Sequence, residues 1–173
     1  MGFMLYCFYN QIYKAKEFGT SKKTAVACRL GINVIQSFLK PINAALKKSE
    51  RFDPFTNIYD TVKYAETIVS IGNQSGEGWF LTGEMVSLLK HGVKNIICIQ
   101  PFGCLPNHVV GKGVIKAIRR VYPDANITAI DYDPGASEVN QLNRIKLMLS
   151  TAQKNLDRER QKQHEVQPVE EAV

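Results

Sequence analysis

The chain is 173 residues long and carries 22 Lys and Arg against 16 Asp and Glu, a formal net charge of +6. That length allows one domain, and 45% hydrophobic with 22% charged residues is the composition of a chain with a packed core, well away from a disordered one. The longest uncharged apolar run, Gly2 to Tyr9, falls far short of the ~20 residues a membrane span needs, and no cleavable leader surrounds it, so neither a membrane span nor export is expected.

Residues 1–50 hold eight Lys and Arg against two acids, so the basic excess belongs to the N-terminal segment. No nucleic-acid-binding motif accompanies it. Lys22-Lys23 and Lys47-Lys48 read as solvated helix faces, and no nucleic-acid partner is expected. Cys7, Cys28, Cys98 and Cys104 lack both the density of a secreted disulfide framework and any C-x-x-C pair, which points to a reducing, cytoplasmic setting.

Residues 1–20 are rich in aromatics and read either as an amphipathic helix or as part of a larger packed surface. From Lys23 to Leu46, Val26, Leu30, Val34, Phe38, Ile42 and Ala45 recur at the helical period. Pro41 inside that run predicts a kink or two successive helices. After a loop around Asp53-Pro54, Ile58, Val62, Ala65 and Val69 mark another helix. Gly72 to Gly78, with three glycines and short polar side chains, is a candidate functional loop.

Trp79 to Lys90 reads as a helix closed by a C-cap at Gly92. The period then changes. Asn95 to Gln100 is a short apolar run expected to be a strand covered on both faces, Asn107 to Val121 a helix, and Asn126 to Tyr132 a second strand, which together make a βαβ unit. Asp133 as N-cap and Pro134 at the first helical position introduce a last helix through Ala152, and the polar residues 154–173 read as a disordered tail. The domain reading is a basic helical segment over 1–50, an α/β domain over 51–153, and the tail. Two strands are few for a parallel sheet, so the chain is expected either to borrow strands from a partner or to be the C-terminal portion of a larger domain.

Ligands of open parallel sheets bind beyond the carboxyl ends of the strands. After the first strand comes Pro101-Phe102-Gly103-Cys104-Leu105-Pro106-Asn107-His108, which sets a thiol on a turn beside a helix N-terminus, a position that favours a thiolate. Cys104 is then either a functional thiol or a small inert hydrophobe. His108, four residues on, is either a second metal ligand or a helix cap, and two ligands do not complete a tetrahedral site. Cys98, in mid-strand, reads as core. After the second strand, Asp131 could hold a ligand hydroxyl or order the Cys104 turn. Gly111-Lys112-Gly113 lacks the spacing of a phosphate-binding loop.

Four segments carry a resemblance: Gly72 to Leu81, Gln100 to His108, Gly111 to Gly113, and Ile130 to Arg144. Together, over roughly residues 40–156, they are similar to the C-terminal end of the 2-hydroxyacyl-CoA dehydratase family, and most of all to the dehydratase-like region of large acyl-CoA dehydratase activase proteins. The resemblance implies a Rossmann-like parallel sheet with flanking helices and anaerobic iron–sulfur chemistry. It implies a 4Fe-4S cluster with Cys104 as its metal ligand, carried on a turn formed by Gly103, Asn107 and His108, the other ligands coming from an upstream half or partner. ATP would act only through a separate activator module. An acyl-CoA substrate or partner polypeptide would lie near Asn73, Gln74, Glu77, Trp79, Asp131 and Asp133. The alternative to such a subunit is a non-catalytic interaction module or truncated remnant that docks on a separately encoded partner.

Overall fold

The structure is a computed structural model that describes residues 1–49, 51–135 and 137–166. Its elements in chain order are α1 (Gly2–Glu17), α2 (Lys22–Leu46), α3 (Ile58–Glu66), α4 (Trp79–Lys90), β1 (Asn95–Gln100), a π-helical turn (Asn107–Lys112), α5 (Ile115–Val121), β2 (Asn126–Asp131) and α6 (Glu138–Val166). The fold is mixed α/β. Among the described residues its sheet is one parallel pair, with Asn95 beside Asn126 and Gln100 beside Asp131.

The core has two parts, joined by α4. In the first, the aromatic residues of α1 pack on α3 and on the start of α4: Tyr6 and Tyr9 lie 5.2 Å and 5.5 Å from the Trp79 ring, and Ile32 of α2 closes the cluster. The aromatics of residues 1–20 thus share one core cluster with residues 58–80. In the second, Met85 and Val86 of α4 meet Ile96, Val114, Ile118 and Ile127 from the βαβ unit. An element that serves two cores needs apolar residues around most of its surface, and α4 has them. It ends where the sequence places its cap: Gly92 adopts φ +85, and the amides of Gly92 and Val93 donate to the carbonyls of Leu89 and Leu88.

Several expectations need correction. Helix α2 is a single helix with Pro41 inside it, not two successive helices, and its core-facing residues are Cys28 and Ile32. The periodic set Val26, Leu30, Val34, Phe38 and Ile42 lies on the opposite, exposed side. Strand β1 is covered on one face only: Ile96, Cys98 and Gln100 are buried, whereas Ile97 and Ile99 are 40% and 63% exposed, because α6 packs over β2 and leaves that half of the sheet bare. The 107–121 helix opens with a π-turn, in which Gly113 N–H donates to His108 O and Thr82 Oγ1 donates to Val110 O at 2.6 Å.

At the other end of the chain, Asp133 does not cap α6. The helix starts at Glu138, after Ser137, since the Asp133 carboxylate is used elsewhere. Helix α6 continues to Val166 although the sequence suggests irregular chain from Lys154. Good helix formers, a Gln153–Asp157 hydrogen bond and the Lys94–Glu159 ion pair at 2.7 Å sustain it without apolar periodicity. The rest of the expected tail, 167–173, lies outside the described residues. Among the described residues no helix is long and apolar enough to cross a membrane.

Candidate functional site at the carboxyl ends of the strands

Both strands run in the same direction, so both release their chains at the same edge of the sheet, and the loops that follow are brought side by side. Main-chain pairing extends one step past the strands, with Tyr132 N–H donating to Gln100 O at 2.7 Å. Side chains then tie the loops together. Gln100, 1% exposed, donates through Nε2 to Asp131 Oδ1 at 2.6 Å, and Phe102 N–H donates to the Asp133 carboxylate. Asp131 thus orders the end of β1, and Asp133 pins the Cys104 turn to the loop after β2. The carboxylate fixes the Gln100 amide orientation and leaves its Oε1 buried without a donor among the described residues.

Cys104 is partly exposed on that turn. Its amide donates to Pro101 O and its sulfur accepts an N–H from Asn107 Nδ2 at 3.1 Å. His108 sends Nδ1–H back to Cys104 O at 3.0 Å, so the imidazole caps the turn. Gly103 closes the turn with φ +71. The second cysteine of the region is of a different kind: Cys98 is buried beside Gly111, and burial pushes its thiol up from the ordinary range.

The 72–78 loop reaches the same edge, where a Cβ on Gly76 would sit 2.8 Å from Pro106 Cγ. It is held from the helical side. Tyr6 O–H donates to Gln74 O at 3.0 Å, Asn73 N–H and Nδ2 both donate to Ser70 O, and Asn73 O accepts the Trp79 amide at 2.8 Å. Trp79 is 0% exposed and donates its indole N–H to Asn10 Oδ1 at 2.9 Å, so it anchors the loop from within the core and offers no surface to a ligand. Glu77 remains exposed.

Beside the Cys104 turn, between the end of the sheet and the first turns of α6, lies a cleft of about 860 Å³. Phe102, Ile130 and Leu147 make its apolar part, and Asp131, Asp133, Ser137, Asn140 and Arg144 its polar part. Sequence reasoning reaches the two aspartates but misses Asn140 and Arg144. The signal is the helical spacing of four between them, which sets both on one face of α6 next to the strand end. An aromatic ring, two carboxylates, three amides and a guanidinium suit a polar ligand with both donors and anionic acceptors.

Among the described residues no group of three or more His, Cys, Asp or Glu is placed to hold a metal ion. Cys104 offers one sulfur, His108 engages a main-chain carbonyl through Nδ1, and Cys98 is enclosed. These residues do not by themselves fit a 4Fe-4S cluster, which needs about four ligands. Comparison with protein-family models, with curated proteins and with solved structures returns no match.

Proposed function

We propose that the chain is one component of a two-part assembly of the 2-hydroxyacyl-CoA dehydratase type, built on a Rossmann-like α/β core and inactive on its own. In this reading Cys104 is the single thiolate it contributes to a 4Fe-4S cluster, and another polypeptide brings the remaining ligands. The observation that carries the reading is the Cys104 turn. It is a partly exposed thiol at the carboxyl end of a parallel strand, braced by Asn107 and Asp133 and bordered by a polar cleft. Because the described residues place no other ligands beside Cys104, its neighbours have two tasks: Asn107, His108 and Asp133 hold the sulfur in place, and the cleft with Arg144 receives a polar, acyl-CoA-class ligand. ATP-driven electron supply belongs to a separate activator.

A second reading, a docking module without catalysis, is favoured by a different observation. Ile97 and Ile99 on the sheet, and the Val26 to Ile42 stripe on α2, are apolar surfaces left open to solvent. Anaerobic co-expression with a dehydratase-type polypeptide, followed by iron and sulfide analysis, separates the two. Iron that depends on Cys104 supports the first reading, and a complex that forms without iron supports the second.

A further inference from the structure

The two outer edges of the sheet are treated differently. In the ladder Asn126 N–H donates to Lys94 O and Tyr132 N–H to Gln100 O, so even-numbered residues of both strands face inward. Outward-pointing main-chain groups therefore belong to odd-numbered residues. This chain's own side chains occupy the three outward carbonyls of β2 and that of Ala125 just before it: Arg119 reaches Ala125 O and Ile127 O, Arg144 reaches Ala129 O, and Gln141 reaches Asp131 O. On β1 the outward groups of Asn95, Ile97 and Ile99 have no such partner among the described residues, and all three residues are exposed. Nor does the edge carry the usual deterrents, for Asn95 to Gln100 holds no charge, proline or bulge.

We propose that the outer edge of β1 is a docking site for an extended strand of a partner polypeptide. A row of N–H and C=O groups repeating every ~6.6 Å along one line is matched only by another extended main chain, which fixes the chemistry of the occupant. Its side chains on the Ile97 and Ile99 side are apolar, and it brings cover for that bare face. A second copy of this chain is the poorer occupant. Two six-residue edges meeting end on bury far less than the roughly 800 Å² per partner of a stable interface, and such a pairing leaves the isoleucine face uncovered. The proposal does not rest on the iron–sulfur reading and survives its failure.

The test titrates the full chain with a short synthetic peptide alternating Thr with Ile and ending in lysines, with amide exchange followed residue by residue. Bound peptide is expected to slow exchange at Ile97 and Ile99 by roughly tenfold or more while α3 and α4 stay unchanged. A peptide N-methylated at every residue, which has lost the donors of both edges, is expected not to bind. Ile99→Pro removes only an outward N–H, so it should preserve the fold and abolish binding. Three results would overturn the proposal: Ile97 and Ile99 amides already protected in the free monomer, equal binding of the N-methylated peptide, or a self-associated chain that Ile99→Pro dissociates, which would assign the edge to a second copy.

Discussion

Replacing Gly78 by alanine tests whether the 72–78 loop is a clamped element or a loose connection. Gly78 sits at φ +51, ψ −141, a region open in practice only to glycine, and a Cβ there would lie 2.2 Å from Asn73 O and 2.5 Å from the Tyr6 hydroxyl. The backbone conformation costs about 1–3 kcal/mol. Displacing a main-chain carbonyl that also receives the Trp79 amide adds about 1–3 kcal/mol of overpacking. For a chain of this size, ~3 kcal/mol lowers Tm by about 6–12 °C. Gly92→Ala is the control, since Gly92 also has positive φ but nothing lies within 4 Å of its Cβ position; it should cost about 1–2 kcal/mol, a fall of only a few degrees. Circular dichroism gives Tm, and the single tryptophan, Trp79, reports the loop directly through a red-shifted emission in Gly78→Ala. Equal Tm losses in the two variants would refute the clamp.

Other outcomes follow from the same contacts. Asn10→Ala leaves the buried Trp79 indole N–H without its acceptor and should cost about 1–3 kcal/mol, measurable by urea unfolding. Alkylation with iodoacetamide followed by mass spectrometry should modify exposed Cys7 and partly exposed Cys104 quickly and Cys98 slowly, because burial keeps the Cys98 thiol protonated and out of reach. The ion pair with Lys94 holds the Glu159 carboxyl below its usual range, so its contribution is complete above that range and is lost as pH falls through the lowered value. Amide protection near Glu159, taken relative to the intrinsic exchange rate at each pH, should therefore fall in acid, and Glu159→Gln should remove that change.

What was legible in the sequence is what local chemistry decides. Trp79 to Gly92 combines an apolar helical run with a glycine just past its end, and both ends lie where those residues place them. The strands at 95–100 and 126–131 are short β-branched runs between turn residues, and they pair in parallel. What escaped depends on distant partners. Ile96, Ile97, Cys98 and Ile99 are all apolar, so composition alone does not show that α6 leaves one face of β1 bare. The α2 stripe looks like a core face by period, yet Cys28 and Ile32 occupy the core because α1 meets the helix on that side. Asp133 has the sequence signature of a cap, but the Phe102 amide across the sheet edge takes its carboxylate. At the site, the strand-end rule reaches Cys104, Asp131 and Asp133, while Asn140 and Arg144 emerge only once α6 is laid against β2.

Iron and acid-labile sulfide, measured anaerobically on the chain alone and on its complex with a dehydratase-type polypeptide, bear most directly on the role given to Cys104. The account predicts far less than one cluster per chain when it is alone, a cluster in the complex, and loss of that iron in Cys104→Ser but not in Cys7→Ser. A near-stoichiometric cluster in the isolated chain, or iron in the complex that ignores Cys104→Ser, would contradict it.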